Sequence, residues 1–390
     1  MRAPFLPLLL ACGLLTVPSL HAFPNQVARI LLGRPITTEH LENQLGGLNA
    51  FLDPIIEASD AISVSQFEVR EPSVKLSVLI VEPRHYGIAV EDKFDTKTQT
   101  YSININIKGE GELPESIRKR LEEAKANGQQ NLKVPVEQFS IEQSAELLGG
   151  QARAGGKIPS TTQPRTLFLL NGYGIPKKMG LPLALLLAER GIRTVMPDLR
   201  GQGESGGSGV TWGKEEPGDL SDLLTALQAK GVVEQGPVAV MGISYGAAMA
   251  SLWSARDERV RATILVAPYQ RADTKIVTAY DKFLGGIKLP FRLSDKMLTE
   301  GTKVAAKRLK VSWEEISPAE AVKSLRTPVL FMASTGDEIM SQDEVAEMHR
   351  NAPEGSKLHV FEKLPHLLLG INFTEMESLV MDWLDKGPGK

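Results

Sequence analysis

Gly242-Ile243-Ser244-Tyr245-Gly246 is the stretch of this 390-residue sequence best equipped to do chemistry. It directly follows an apolar, strand-length run at Val238–Met241 and precedes a helix-like run from Ala247 to Ala255. A serine at the apex of such a strand–turn–helix sits on a sharp, strained bend that holds its Oγ clear of the sheet edge. Residues two before and two after it then pass close to neighbouring backbone, where glycine is favoured. A serine hydroxyl is a weak nucleophile at neutral pH. It needs a base beside it and a carboxylate to orient that base. The chemistry implied is attack on a carbonyl carbon through a covalent acyl intermediate.

With these flanks the pentapeptide resembles the nucleophile turn of the α/β-hydrolase superfamily, and the resemblance extends over about residues 164–385. In that family the chain order is Ser, then Asp or Glu, then His. The acid follows a late strand. Here Val329–Ala333 leads into Ser334-Thr335-Gly336-Asp337, so the resemblance implies Asp337, with Glu338 and Asp343 as rivals. Asp343 reads as the N-cap of a helix ending near Arg350. The base follows the last strand, where Leu358–Phe361 runs into Leu364-Pro365-His366, implying His366. Of the other histidines, His349 falls within that helix, His359 lies inside the strand, and His40 and His85 lie outside the hydrolase-like half. The resemblance also implies two backbone donors for the oxyanion, the N–H of Tyr245 and that of Tyr173. Tyr173 belongs to Asn171-Gly172-Tyr173-Gly174, which follows the run Thr166–Leu170. Asn171 stands where the family usually has histidine, a change that leaves a backbone donor intact.

The elements that must position these groups are legible from Pro164 onward. Apolar runs at Thr166–Leu170, Ile192–Met196, Val238–Met241, Ala262–Val266, Val329–Ala333 and Leu358–Phe361 read as buried strands. Helical segments lie between most of them, including Leu181–Arg190, closed by Gly191, and Gly218–Lys230. Alternating strands and helices predict an α/β fold, a mainly parallel sheet covered by helices on both faces. The expected divisions are a leader at 1–22, an N-terminal α+β accessory region at 23–160, and a hydrolase domain at 161–386 with a helical lid at 270–325. In the accessory region the spacing predicts two helices within Asn25–Ala58 and an exposed helix at Pro114–Ala126. Between them it predicts an antiparallel meander of Val74–Val78, Gly87–Phe94 and Tyr101–Ile107. Gly149–Gln163 reads as a loop or boundary. In the lid, Ile276, Val277, Tyr280, Phe283, Leu284, Phe291, Met297 and Leu298 either line an acyl pocket or pack the lid onto the core.

Gly201-Gln202-Gly203-Glu204-Ser205-Gly206 matches a dinucleotide fingerprint letter for letter. No helix opens behind it, so Asp198 and Arg200 read as turn-stabilising and no nucleotide site is expected. With 44 basic against 47 acidic residues, nothing favours a nucleic-acid partner. One cysteine and six scattered histidines predict no disulfide framework and no metal site, and no cofactor is implied.

Arg2, the apolar stretch Phe5–Leu20 and Ala22 read as a secretory signal peptide cleaved after Ala22. The stretch is too short and too interrupted for a stable membrane span. Leu9-Leu10-Ala11-Cys12-Gly13 also resembles a bacterial lipoprotein box, in which Cys12 would carry a lipid anchor. A retained membrane anchor is the third reading. The combined expectation is an exported serine hydrolase acting on a small-molecule acyl ester. A peptidase or thioesterase with the same triad, or a non-catalytic binding protein on this fold, is the alternative. The sequence assigns no oligomeric state.

Overall fold

In the computed structural model of the chain, the residues described are 23–35, most of 52–107, 131–132, 141–142, 165–283 and 293–386. The leader at 1–22, the helix expected at Pro114–Ala126 and the boundary at Gly149–Gln163 lie outside them. So does nearly all of the second helix expected before Ala58.

Helix α1 (Phe23–Leu31) precedes four strands, β1 (Ile62–Val69), β2 (Val74–Val81), β3 (Ile88–Asp95) and β4 (Thr100–Ile107). Two short strands follow, β5 (Asn131–Leu132) and β6 (Ile141–Glu142). From residue 166 strand and helix alternate. The order is β7 (Thr166–Leu170), α2 (Leu181–Glu189), β8 (Arg193–Pro197), α3 (Glu216–Ala229), β9 (Val238–Ile243), α4 (Tyr245–Arg256) and β10 (Val260–Val266). Residues 270–325, where a lid is expected, contribute α5 (Ala272–Phe283), α6 (Asp295–Leu309) and α7 (Pro318–Lys323). The chain closes with β11 (Val329–Ser334), α8 (Gln342–Arg350), β12 (Lys357–Phe361), α9 (His366–Leu369) and α10 (Phe373–Lys386).

One sheet of eight strands has the order β1-β2-β8-β7-β9-β10-β11-β12. From β8 to β12 every pairing is parallel, as the buried apolar runs predict, and β2 is antiparallel to both β1 and β8. Each of these six parallel strands lies within one or two residues of its expected bounds, because a strand covered on both faces has no polar side to blur the pattern.

The N-terminal strands correct the expected meander. β3 and β4 pair with each other in a ladder of their own, whereas β1 and β2 belong to the main sheet. The sheet therefore starts a hundred residues before 161, and residues 82–165 are an insertion between two of its strands. The physical reason is visible in β2. After the alternation Val74-Lys75-Leu76, the run Val78–Val81 is continuously buried, packed on both faces and bonded to β8 with Val78 opposite Pro197.

Helix α4, which starts directly behind Ser244, is anchored at its C-terminal end. Its Trp253 is fully buried, edge-on to Phe168 of β7 with centroids 5.0 Å apart. Asp257 caps its far end, accepting from Ser221 Oγ at 2.8 Å and from Arg259 Nε at 2.9 Å and Nη2 at 2.6 Å. Burial pushes the Asp257 carboxyl up, but the donors from Arg259 and Ser221 outweigh it and hold it at about 2, below the ordinary 3.8. A depressed carboxylate stabilises the fold above its unfolded value and loses that contribution as pH falls through the folded one. Asp257→Asn is therefore expected to lower unfolding free energy by on the order of 2 kcal/mol at pH 7. In urea titrations the gap from wild type should shrink below about pH 4 and close near pH 2. A gap independent of pH would refute the linkage.

Candidate active site

Ser244 follows β9 and precedes α4 with φ 54° and ψ −113°, a conformation L side chains rarely adopt. Glycine makes it possible. A Cβ on Gly242 would lie 2.2 Å from the Gly246 carbonyl oxygen, and one on Gly246 would lie 2.0 Å from that of Leu170. The Ser244 N–H donates to Val266 O at 2.8 Å, which ties the turn to the end of β10.

His366, the first residue of the short helix α9 that follows β12, reaches this hydroxyl. Its Nε2 is 3.0 Å from Ser244 Oγ and its Nδ1 is 2.7 Å from Asp337 Oδ2. An ionised carboxylate only accepts, so Nδ1 carries the proton and Nε2 presents its lone pair to the serine. The Asp337 carboxylate is wholly buried, and its Oδ1 accepts the N–H groups of Ile339 at 2.8 Å and Met340 at 2.7 Å. Those two bonds aim Oδ2 at the imidazole. The three side chains named from chain order thus converge, although Ser244 and His366 are 122 residues apart.

The rivals fall elsewhere. Glu338 accepts the backbone N–H of His366 at 3.3 Å and so fixes the base's main chain rather than its ring. Asp343 is not the cap of α8. Ser341 is, in a reciprocal capping box with Glu344, which leaves Asp343 in the first turn. His349 Nε2 bonds Ser356 O at 3.1 Å, and His359 Nε2 lies 3.2 Å from Glu375. His40 and His85 lie outside the described residues.

The loop after β7 lies against the serine, where a Cβ on Gly172 would come 3.7 Å from Ser244 Cβ. Asn171 shapes this loop by donating to Pro176 O at 2.8 Å and Lys177 O at 3.3 Å. The Gly174 N–H is held at 2.7 Å by Gln202 Oε1, so Tyr173 is bracketed by two fixed neighbours. Tyr245 is the first residue of α4, and its N–H has no carbonyl one turn back in the helix to bond. Burial pushes the Tyr173 phenol up to about 12 and the Tyr245 phenol well above its ordinary value. Both therefore stay protonated near neutrality, and neither ring supplies a base.

Two supports escaped sequence reading. Glu216 is fully buried, and its carboxylate accepts from Thr211 N at 2.6 Å, Thr211 Oγ1 at 2.5 Å, Gly213 N at 2.9 Å and Tyr245 Oη at 2.9 Å. Lys275 of α5, also buried, donates to Ile339 O at 3.0 Å and to Glu344, bracing the acid loop from the lid side. On a helical wheel both look like ordinary surface charges; only the packing buries them. Of the apolar lid residues, Ile276 and Leu298 are buried in packing, and Val277 and Met297 lie beside Val27. The side chains of Tyr280, Phe283, Leu284 and Phe291 lie outside the described residues.

The fingerprint-like loop is structural, as expected. Asp198 accepts Lys177 N and Nζ, both at 2.8 Å, and Glu204 N at 3.0 Å, while Arg200 makes a two-pronged pair with Asp219. Among the described residues no group of three or more His, Cys, Asp or Glu side chains is placed to hold a metal ion. No helix of the described residues is long and apolar enough to cross a membrane.

What this arrangement can do chemically is move the Ser244 proton onto His366 while Asp337 holds the resulting imidazolium. Comparison with known proteins places it in context. An esterase of Pyrococcus furiosus is similar in structure, with a TM-score of 0.50 and 15% identity, covering 84% of this chain and 92% of that one. A thermophilic esterase of Thermogutta terrifontis is similar at 21% identity and a TM-score of 0.44, covering 57% and 90%. At 15% identity the likeness to the Pyrococcus esterase is one of fold. In sequence, a polyketide transferase of a Penicillium species is 29% identical over 124 residues, 31% of this chain, and the match spans only 42% of that relative's length. The model of the alpha/beta hydrolase family matches residues 167–370, which hold the turn, the acid and the base. The match covers more than half of the sequence, and the chain belongs to the alpha/beta hydrolase family.

Proposed function

We propose that this alpha/beta hydrolase is a serine hydrolase that cleaves carboxylic esters through an acyl-enzyme. The observation that carries the reading is the unbroken relay from Asp337 Oδ2 through the imidazole to Ser244 Oγ, at 2.7 and 3.0 Å. In the first half-reaction Oγ attacks the carbonyl carbon as Nε2 takes its proton. The negative charge moves to the carbonyl oxygen, facing the N–H groups of Tyr173 and Tyr245. Imidazolium then protonates the leaving alkoxide, and the acyl group stays on Oγ. Water enters, His366 removes its proton, and collapse of the second tetrahedral intermediate releases the acid and restores the serine. Each oxyanion donor in such a site is worth about 3–4 kcal/mol.

Ester rather than amide cleavage is the reading because an alkoxide leaves more readily than an amine. The same groups would serve a thioester or a peptide. Residues 1–22 support export, with the mature chain starting at Phe23.

Ser244→Ala is expected to cut kcat by roughly 10⁵–10⁶-fold, with the protein still folded, and to abolish covalent labelling by a fluorophosphonate probe. Folded wild-type protein that takes no label, or a Ser244→Ala variant with full activity, would refute the enzyme reading. Asp337→Asn leaves the shape but reverses the preferred tautomer of His366, so kcat should fall about 10⁴-fold in hydrolysis assays. A fall below tenfold would remove Asp337 from the relay. A screen of p-nitrophenyl esters by chain length beside aminoacyl-anilides should show turnover confined to the esters; faster anilide cleavage would favour a peptidase. Mass spectrometry of protein recovered from the producing cell should give Phe23 as the first residue. A start at a lipidated Cys12, or an intact Met1, would overturn the export reading proposed here.

A further inference from the structure

Helix α1 lies between two parts of the hydrolase fold. On one side it packs against lid helix α6, where a Cβ on Gly301 would come 2.2 Å from Val27 Cγ1. Val27, Leu293 and Leu298 are buried together there with Leu31, Val277 and Met297, and Arg308 donates to Asn25 Oδ1 at 2.9 Å. On the other side the chain leaving α1 meets the loop before α3. A Cβ on Gly209 would fall 1.8 Å from Leu32 O, and Arg34 donates to the carbonyls of Ser205 and Gly207.

Trp212 stands at that junction with φ 55°, a strained setting for a bulky residue. Glu216 sustains it by taking the N–H groups of Thr211 and Gly213 on either side. The indole Nε1 donates to Leu31 O at 2.8 Å, one of the end carbonyls of α1 that has no partner within its helix. The indole plane stacks on Tyr173 at 5.6 Å and 16°, and meets Tyr245 edge-on at 5.5 Å and 77°. Tyr173 and Tyr245 touch edge-on at 5.8 Å, closing a triangle of rings, and Tyr245 Oη is held by the same Glu216. Two corners of the triangle are the residues whose backbone N–H groups the hydrolase reading assigns to the oxyanion.

We propose that Trp212 is a positioning residue through which docking of α1 holds the Tyr173 and Tyr245 donors in place for the reaction. The inference rests on the serine-hydrolase reading above. It gives the N-terminal helix a part in catalysis without any contact with substrate. Oxyanion donors act mainly in the transition state, so loosening them lowers kcat and leaves KM nearly unchanged. Loss of a purely structural brace would instead lower the folded fraction or disturb both constants together.

The full-length chain tests this with a short p-nitrophenyl ester, a fluorophosphonate label and a thermal midpoint for each variant. Trp212→Phe keeps an aromatic ring and removes the N–H to Leu31. It is expected to lower kcat about 10-fold or more, with KM changed less than about twofold and the protein folded. Gly301→Ala pushes α1 off from the far side and should lower kcat in the same direction. Val27→Gly with Gly301→Ala removes the three side-chain carbons that the new methyl would meet, and should restore kcat to within about twofold of wild type. That rescue keeps the test decisive even if Trp212→Phe fails to fold. If wild type is labelled and active while Gly301→Ala keeps its full kcat, or while loss and rescue follow only the folded fraction, the proposal is overturned and the hydrolase reading stands. If wild type takes no label, that reading falls and the proposal with it.

Discussion

Ser244 can hold its left-handed turn only because Gly242 and Gly246 carry no side chain, and the site is built outward from that permission. A residue so placed costs about 1–3 kcal/mol unless its surroundings enforce it. Here they do. The Ser244 N–H is bonded to the end of β10, Gly246 lies against the carbonyl of Leu170 in β7, and α4 starts at once behind the turn. The strain is offset by packing that any relaxation of the turn would break. The hydroxyl is thereby presented at the sheet edge instead of being folded back on its own helix.

The parallel sheet then does the gathering. Strands that run in one direction deliver all their ends to one edge, and functional loops collect there. Ser244 comes off β9, Asp337 off β11 and His366 off β12, in a sheet where β9, β10, β11 and β12 are successive neighbours. Each arrives with its own local brace. Backbone donors from Ile339 and Met340 aim Asp337, and Glu338 holds the main chain of His366. Helix α5 adds Lys275, which reaches the Asp337 loop through Ile339 O. Elements far apart in sequence thus meet with little freedom left, which suits a relay whose two bonds must both stay near 3 Å.

The N-terminal half is less separate than its change of sequence rhythm suggests. β1 and β2 complete the sheet, β3 and β4 stand outside it, and α1 bridges α6 and the loop that carries Trp212. Glu216, buried with four donors around it, serves both that loop and Tyr245, the residue after Ser244. A buried carboxylate is tolerated only when its acceptor sites are filled. Its full complement of donors accounts for a charged residue lying wholly inside the first turn of α3.

By itself, the amino-acid order determined the parallel strands, the glycine-flanked serine, and the succession that singles out Asp337 and His366. These are local signals. Runs of apolar residues report burial on both faces, and a tight turn needs small residues at fixed offsets. Tertiary structure alone decided that Val74–Val81 belongs to the central sheet, that Ser341 rather than Asp343 caps α8, and that Glu216, Lys275 and Trp212 surround the site. The reason is physical. Alternation shows that a strand has one buried face but not which partner covers it, and Ser341 and Asp343 are both good caps until the backbone selects one. A glutamate or lysine on a helix looks solvated until another segment, remote in the chain, brings the donors or acceptors that make its burial affordable.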